Sequence, residues 1–294
     1  MIRFEYLEPK TLKKASSLLH QHGKEAMIIA GGTDLLRQLK LRTVRPRFLI
    51  NIKPILPIDR ISNGSGAALK IGAATTIGSI EHSPVVRAKS FALYEAAHAL
   101  GSPQIRNLAT IGGNLCNAAP SAETAPVLLA RQAKAHISGI DGSRIIDLES
   151  FFLSAGKTIL QKGELLSHIS IPAAPAGSGE AYIKHGMRSS MDIAVVNVAA
   201  FITLTPSGNK ARQCFISLGA VAPKPIRAYR AEQIIRGNAP SEKLILEAAR
   251  LAVEEAQPIS DMRASAQYRK DMIAVLTERA LKLALERARL SLKH

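Results

Sequence analysis

The stretch Ala30-Gly31-Gly32-Thr33-Asp34 separates two segments of different periodicity. Residues 26–30 form a short apolar run typical of a buried strand, and residues 34–40 have the spacing of a helix. Because glycine has no Cβ, backbone N–H groups at such a turn can approach an anion closely, and the start of a helix adds partial positive charge. The stretch therefore fits an anion site. An ordinary tight strand–helix turn fits it as well.

The residues around this turn alternate between helical and strand-like patterns. Thr11 can cap a helix that Gly23 would end, and residues 48–52 again resemble a strand. Strands that alternate with helices predict a small parallel sheet at the start of the chain.

A second pair of glycines occurs in Thr110-Ile111-Gly112-Gly113-Asn114, inside a segment, 101–117, that we predict to be rich in loops. Two glycine segments far apart in sequence suit a long dinucleotide with two phosphates. The alternative is a pair of unrelated turns.

The second half of the chain has a different organisation. A glycine-bounded turn at 139–142 predicts a hairpin, and residues 172–179 have the composition of a linker. Strand-like runs at 182–185, 195–204 and 214–220 follow, and two long helical patterns, 241–257 and 264–291, close the chain. This order predicts a C-terminal unit of strands followed by helices.

The composition limits the possible functions. The chain has 294 residues and a formal charge of +16, but aromatic residues make up only 4% and Trp is absent. A basic surface can attract nucleic acid or an acidic protein, yet few rings are present to stack on bases. The only cysteines, Cys116 and Cys214, cannot supply the thiolates of an iron–sulfur cluster or a zinc site. No apolar stretch approaches the length of a membrane span, and we expect a cytoplasmic protein.

Both glycine segments belong to a longer set of motifs. The chain resembles the FAD-carrying medium subunit of the molybdenum hydroxylases, the family of xanthine dehydrogenase and carbon monoxide dehydrogenase. The motifs that carry the resemblance lie, in family order, at 4–9, 30–36, 104–114, 118–123, 184–188 with 192–197, and 260–269.

This resemblance implies an α+β fold. Residues 1–174 would form an FAD-binding domain of the p-cresol methylhydroxylase type, with subdomains at 1–55 and 56–174. Residues 180–290 would form the C-terminal α+β domain of the molybdenum hydroxylase flavoprotein.

The resemblance also assigns residues to FAD. Residues 28–35 and 110–114 would wrap the pyrophosphate, and Glu123 would contact the adenosine part, where the family often has Asp. Leu100 and Leu165 would line the flavin, and Lys184 would lie near the isoalloxazine. The complete set is Ile28, Ile29, Ala30, Gly31, Gly32, Thr33, Asp34, Leu35, Leu100, Thr110, Ile111, Gly112, Gly113, Asn114, Glu123, Leu165 and Lys184. No residue of this chain is assigned to catalysis or to a metal.

The implied role is electron transfer. The chain would hold non-covalent FAD within a hetero-oligomer that includes a small iron–sulfur subunit and a large molybdenum subunit. Iron–sulfur clusters and the molybdenum–pterin cofactor are expected in those partners only. The FAD would pass electrons from the clusters to an external acceptor. Two alternatives remain open: a self-contained flavin-dependent oxidoreductase, and a basic nucleotide-binding protein without redox chemistry.

Overall fold

The structure, a computed structural model, describes residues 3–64 and 67–293. Its first layer is a parallel sheet with the strand order β1-β3-β2. The layer consists of strands β1 (Glu5–Leu7), β2 (Ala26–Ile29) and β3 (Phe48–Asn51) and helices α1 (Leu12–His22) and α2 (Leu35–Lys40). The predicted small parallel sheet is confirmed.

Local chemistry accounts for the limits of α1. The Thr11 hydroxyl accepts a hydrogen bond from the backbone N–H of Lys14 at 3.1 Å, which satisfies a donor at the start of the helix. Gly23 ends the helix at φ 53°, a left-handed conformation that glycine adopts without steric cost. Ala15 then packs the helix against Ile50 and Ile52 of the sheet region.

An antiparallel sheet with the order β4-β5-β10-β6-β7 forms the second layer. Its hairpin of β6 and β7 turns at residues 139–142, as the sequence predicts. The strands of this part of the chain are β4 (Ile61–Gly64), β5 (Ala67–Gly72), β6 (Lys134–Gly139), β7 (Gly142–Asp147), β8 (Phe152–Ser154), β9 (Lys157–Thr158) and β10 (Leu165–Ile171), of which β8 and β9 pair with each other.

Short helices pack on this sheet, and two of them correct the sequence analysis. They are α3 (Ile77–Glu81), α4 (Pro84–Lys89), α5 (Phe91–His98), α6 (Pro103–Arg106), α7 (Ile111–Cys116) and α8 (Thr124–Ala130). Segment 101–117, predicted to be rich in loops, contains α6 and α7. Low helix propensity at Gly112 and Gly113 conceals α7 in the sequence. Burial of Ile111 and Leu115 in the core stabilises it.

The C-terminal part is an antiparallel sheet with the order β11-β12-β13-β14, covered on one face by helices. Strand β12 is buried along its whole length, and its residues alternate between two cores. Ala200 and Ile202 face the C-terminal helices, whereas Phe201 faces the core of the first part of the chain, which comprises the residues before β11. The elements are β11 (Ser178–His185), β12 (Val196–Leu204), β13 (Ala211–Gly219), β14 (Ile226–Arg227), α9 (Tyr229–Ile235), α10 (Glu242–Glu255) and α11 (Ala266–Ser291).

The two parts of the chain are joined by apolar packing, by one buried ion pair and by one partly buried ion pair. The linker predicted at 172–179 is shorter than expected, because β11 begins at Ser178. Arg131 contacts Glu180 at 2.7 Å, and Arg287 contacts Glu95 at 2.6 Å. Each ion pair links a residue that precedes the linker between β10 and β11 to a residue that follows this linker.

Neither a membrane-spanning helix nor a cluster of metal ligands occurs among the described residues. None of their helices is both long and apolar enough to cross a membrane. Nor do residues 3–64 and 67–293 contain a group of three or more His, Cys, Asp or Glu side chains arranged to hold a metal ion.

Candidate functional site

A cavity of about 580 Å³ lies where the parallel sheet, helix α7 and the C-terminal part of the chain meet. Segments 27–38, 100–123, 160–166 and 191–193 contribute residues to its wall. The wall is mostly apolar. The volume of the cavity lies within the range of about 300–1,000 Å³ that is usual for small-molecule sites. The cavity is therefore large enough to hold a cofactor.

The first glycine segment presents unpaired donors to this cavity. Among the described residues, no hydrogen-bond acceptor is found for the backbone N–H groups of Gly31, Gly32, Thr33 and Asp34. Gly32 has φ 73°, a left-handed conformation that curves the backbone here. Consecutive N–H groups in such a curve form a concave site for an anion. The backbone N–H groups of the first glycine segment are therefore available to bind an anion.

Gly31 allows two segments of the chain, the first glycine segment and residues 108–109, to pack closely against each other. A Cβ on Gly31 would lie 2.2 Å from the carbonyl oxygen of Leu108 and 2.8 Å from the Cα of Ala109. No side chain fits at those distances, so Gly31 allows the first glycine segment to lie directly against the residues that lead into α7.

In the second glycine segment the backbone donors are already used. The N–H of Ile111 donates to Thr75 O at 3.0 Å, and that of Gly112 donates to Ala73 O at 2.9 Å. The N–H groups of Gly113 and Asn114 donate to the hydroxyl and the carbonyl of Thr110. This part of the wall therefore offers side-chain groups to a ligand in place of a row of free backbone donors.

Two side chains at the start of α7, those of its capping residue Thr110 and of Asn114, can supply such groups. The Oδ1 atom of Asn114 accepts a hydrogen bond from the Thr124 hydroxyl at 2.6 Å, which leaves the amide nitrogen of Asn114 as a donor. The Thr110 hydroxyl accepts from Gly113 at 3.0 Å and retains its own proton for donation.

The charged side chains of the wall are acidic. Among the described residues it carries the carboxyl groups of Asp34, Glu123 and Asp192 but no lysine, arginine or histidine. Burial raises the pKa of Glu123 although Lys184, 2.8 Å away, opposes the shift. Burial also raises the pKa of Asp192, but hydrogen bonds from backbone N–H groups, including that of Arg188, outweigh burial and leave this pKa below its usual value. An anion bound here must be held mainly by neutral donors.

Residues 2–174 match the family model described as the FAD binding domain in molybdopterin dehydrogenase. The chain belongs to this FAD-binding family. Residues 181–284 match a second model, the CO dehydrogenase flavoprotein C-terminal domain.

Individual relatives agree with this assignment over nearly the whole chain. The chain is 34% identical to the carbon monoxide dehydrogenase medium chain of Hydrogenophaga pseudoflava, over 97% of its own length and 98% of that protein. It is 35% identical to a putative xanthine dehydrogenase FAD-binding subunit of Escherichia coli K12, over 96% of each chain.

A solved structure agrees as well. The fold matches a chain in the structure of H. pseudoflava carbon monoxide dehydrogenase that lacks the Mo-pyranopterin moiety, with a TM-score of 0.93 and 34% identity, over 98% of this chain and 99% of that one. The predicted family and α+β fold are confirmed. The chain is a flavoprotein subunit of the molybdenum-dependent oxidoreductases.

Most residues that the sequence assigns to FAD lie on the wall of the cavity. They are Ile28, Ala30, Gly31, Gly32, Thr33, Asp34, Leu35, Leu100, Thr110, Gly112, Gly113, Asn114, Glu123 and Leu165. The fold thus brings together segments separated by more than a hundred residues, and their contact with FAD stays a prediction.

Three assigned residues lie off the wall. Ile29 packs in an apolar cluster with Leu39 and Leu49. Ile111 is fully buried in the main core. Lys184 lies behind Glu123, and its ammonium group donates to protein oxygens.

Arg106, a cation that precedes the second glycine segment, also lies off the wall. Its Nε donates to Glu81 at 2.6 Å, and its Nη1 donates to the carbonyl of Leu100 at 3.2 Å. Arg106 therefore fixes the backbone beside Leu100, which is on the wall.

Sequence reasoning missed several wall residues. Gln38 follows Asp34 by four positions on a helix that the sequence predicts, so helical spacing could have revealed it. Cys116 follows Gly112 by four positions, but its helix, α7, is concealed in the sequence. Met191 and Ile193 come from the C-terminal part of the chain. Their contribution depends on how the two parts pack, and no local sequence signal reports it.

Proposed function

We propose that this chain binds one FAD non-covalently in the cavity and relays electrons from the iron–sulfur clusters of a partner subunit to an external acceptor. One observation carries the proposal: the unpaired backbone N–H groups of Gly31 to Asp34 on the cavity wall. Consecutive N–H groups on a curved backbone form a concave site for an anion, so this row of unpaired donors is suited to an anionic ligand.

The residues present fit FAD. The pyrophosphate would accept hydrogen bonds from the first glycine segment, with the Thr110 hydroxyl and the Asn114 amide as further donors. Leu100 and Leu165 would flank the apolar ring system, since both belong to the apolar wall. We further propose residues 1–174 as the FAD-binding domain and 180–290 as the C-terminal domain.

The wall favours a non-covalent cofactor. Covalent flavin attachment needs a nucleophilic side chain, and the wall formed by the described residues has no histidine or tyrosine. Burial raises the pKa of Cys116 to about 12, so the thiol stays protonated and weakly nucleophilic at neutral pH.

The wall also favours a relay over independent substrate oxidation. FAD, when bound, supplies a ring that accepts and releases electrons singly or in pairs. A self-contained oxidoreductase would need a free acid or base beside that ring. The Glu123 carboxylate accepts from Lys184, and the Asp192 carboxylate accepts from several backbone N–H groups. The third carboxyl group of the wall, Asp34, belongs to the first glycine segment, which we propose for the pyrophosphate and not for the ring.

The relatives indicate the partners. They include subunits named as medium chains of carbon monoxide dehydrogenase and an FAD-binding subunit of xanthine dehydrogenase. By this relationship the chain would assemble with a small iron–sulfur subunit and a large molybdenum subunit. Its own cysteines, Cys116 and Cys214, are too few to hold a cluster.

Reconstitution with the two partner subunits tests the relay. The FAD-loaded chain is mixed with both subunits without dioxygen, and flavin absorbance is followed after the substrate of the molybdenum subunit is added. We expect bleaching only when all three subunits are present. Bleaching by substrate with this chain alone would make it a self-contained flavoenzyme. Yellow colour that stays in the pellet after acid precipitation would show that the flavin is covalent.

A further inference from the structure

Lys184 is the last but one residue of β11, and its side chain points towards the first part of the chain. Its Nζ donates to Glu123 Oε1 at 2.8 Å, to the carbonyl of Ala99 at 2.9 Å and to the carbonyl of Asp192 at 2.7 Å. An ammonium group has three donors, so every donor is used within the protein. Only about a tenth of the Lys184 side chain is exposed.

These three acceptors belong to three different segments of the cavity region. Glu123 is on the wall, Ala99 directly precedes Leu100, and Asp192 belongs to the loop 186–195 between β11 and β12. A single ammonium group therefore connects the loop from the C-terminal part to two segments of the first part.

The loop 186–195 has a defined shape of its own. The Asp192 carboxylate accepts hydrogen bonds from the backbone N–H groups of Met187, Arg188 and Ile193. Met191 is attached at a second point, because its N–H donates to Gly101 O at 3.3 Å. The loop thus behaves as one unit, held to the rest of the protein by Met191, by Lys184 and, at its end, by Arg269, which donates to the carbonyl of Val195 at 2.6 Å.

The same loop closes part of the cavity. Met191, Asp192 and Ile193 are wall residues, while Met187 is 66% exposed on the outer surface. A shift of the loop would open this side of the cavity to solvent.

We infer that Lys184 is a positioning residue that latches the loop 186–195 over the cavity and so limits access of solvent and electron acceptors to the cofactor. The part of this inference that concerns access rests on the proposed function, whereas the latch itself does not. Lys184 acts through Glu123 and the loop, without contact with the cofactor.

The charge balance separates this role from electrostatic tuning of the flavin. Lys184 and Glu123 form a pair with no net charge. If Lys184 is replaced by Met, Glu123 is left buried without its cation. Burial already raises the pKa of Glu123, and loss of the cation removes the main opposing effect, so the variant favours the protonated carboxyl group and a local charge of zero. The flavin reduction potential should then change little, although the loop is released.

Hydrogen–deuterium exchange of the full chain tests the latch, with and without FAD. In Lys184→Met, peptides from 186–195 should exchange faster by about tenfold, the effect expected from loss of a charge-assisted hydrogen bond. Lys184→Arg keeps the charge and several donors, and it should restore part of the protection. In the FAD-loaded Met variant, acrylamide should quench flavin fluorescence more strongly than in the wild type.

Arg287→Met is the matched control. Arg287 also joins the two parts of the chain, through both carboxylate oxygens of Glu95 and the carbonyl of Glu180, but it is not on the cavity wall. Its loss should leave exchange in the loop unchanged.

Three results would overturn the inference. They are unchanged loop exchange in Lys184→Met, equal acceleration in Arg287→Met, and a lowered reduction potential without any change in the loop. If the wild-type chain fails to bind FAD, the proposed function fails, but exchange in the FAD-free chain still decides whether Lys184 is a latch.

Discussion

Alanine substitutions at the two adjacent glycines of α7 should affect two different properties. The substitution at Gly113 should weaken FAD binding, and the substitution at Gly112 should lower stability. A Cβ on Gly113 would meet only the Thr110 hydroxyl oxygen, at 3.0 Å, and would lie on the cavity wall. A Cβ on Gly112 would lie 2.6 Å from Ala73 O and 2.7 Å from the Ala73 Cβ. Gly113→Ala therefore intrudes on a ligand, whereas Gly112→Ala intrudes on the protein itself.

The expected energies follow from these distances. Alanine gains up to about 1 kcal/mol over glycine in helix propensity, and displacement of the Thr110 cap costs a similar amount. The free energy of unfolding of Gly113→Ala without FAD should thus stay within about 1 kcal/mol of the wild-type value. Overpacking at Gly112 should lower the free energy of unfolding by about 1–3 kcal/mol.

The assay pairs urea unfolding of the FAD-free chains with calorimetric titration of FAD. We expect the dissociation constant of Gly113→Ala to rise by about tenfold or more, equivalent to about 1.4 kcal/mol, because the methyl group prevents close approach of FAD to the helix. Wild-type affinity in Gly113→Ala, measured with a correctly folded protein, would refute the placement of FAD against α7.

Three further expectations come from the same structure. Because neutral donors face the proposed pyrophosphate, the FAD dissociation constant should change by less than about threefold between 50 and 500 mM KCl, and a steep increase would indicate a cationic site. Gly32→Ala should lower both FAD affinity and stability, the latter by about 1–2 kcal/mol, since φ is 73° there; unfolding at unchanged urea concentration would contradict this. Burial, followed by the charges of His136 and Lys70, lowers the pKa of His168 from 6.5 to about 4, so its contribution to stability is complete above pH 6.5 and is lost as the pH falls towards 4. On acidification His168→Gln should therefore lose about 1–2 kcal/mol less free energy of unfolding than the wild type, a figure reduced because His168 is partly exposed. Identical pH profiles of urea unfolding for the two proteins would contradict this expectation.

Local sequence determines much of the fold, and the first glycine segment illustrates why. The strand, the glycine turn and helix α2 are adjacent in the chain, so periodicity and glycine chemistry are enough to predict them. The hairpin at 139–142 and the cap at Thr11 are similarly local.

The second glycine segment shows where local reasoning ends. Its sequence resembles the first, yet its backbone donors bond to Ala73 and Thr75, residues that four helices, α3 to α6, separate from it. The role of Lys184 is hidden for the same reason. Its position can be matched to a family motif, but two of its three acceptors, Ala99 and Glu123, lie more than sixty residues away in the sequence.

The composite wall of the cavity restricts how this chain can exchange parts with its relatives. A chimera that joined residues 1–174 of this chain to the C-terminal domain of a relative would replace Lys184 and the loop 186–195 but keep Glu123. Such a hybrid could fold well and still carry a loosely covered cofactor, unless the incoming domain supplies a cation and a loop that match Glu123 and Ala99. The two parts of the chain must therefore match each other at Lys184, Glu123 and Ala99, and neither part can be exchanged independently without affecting how the cavity is covered.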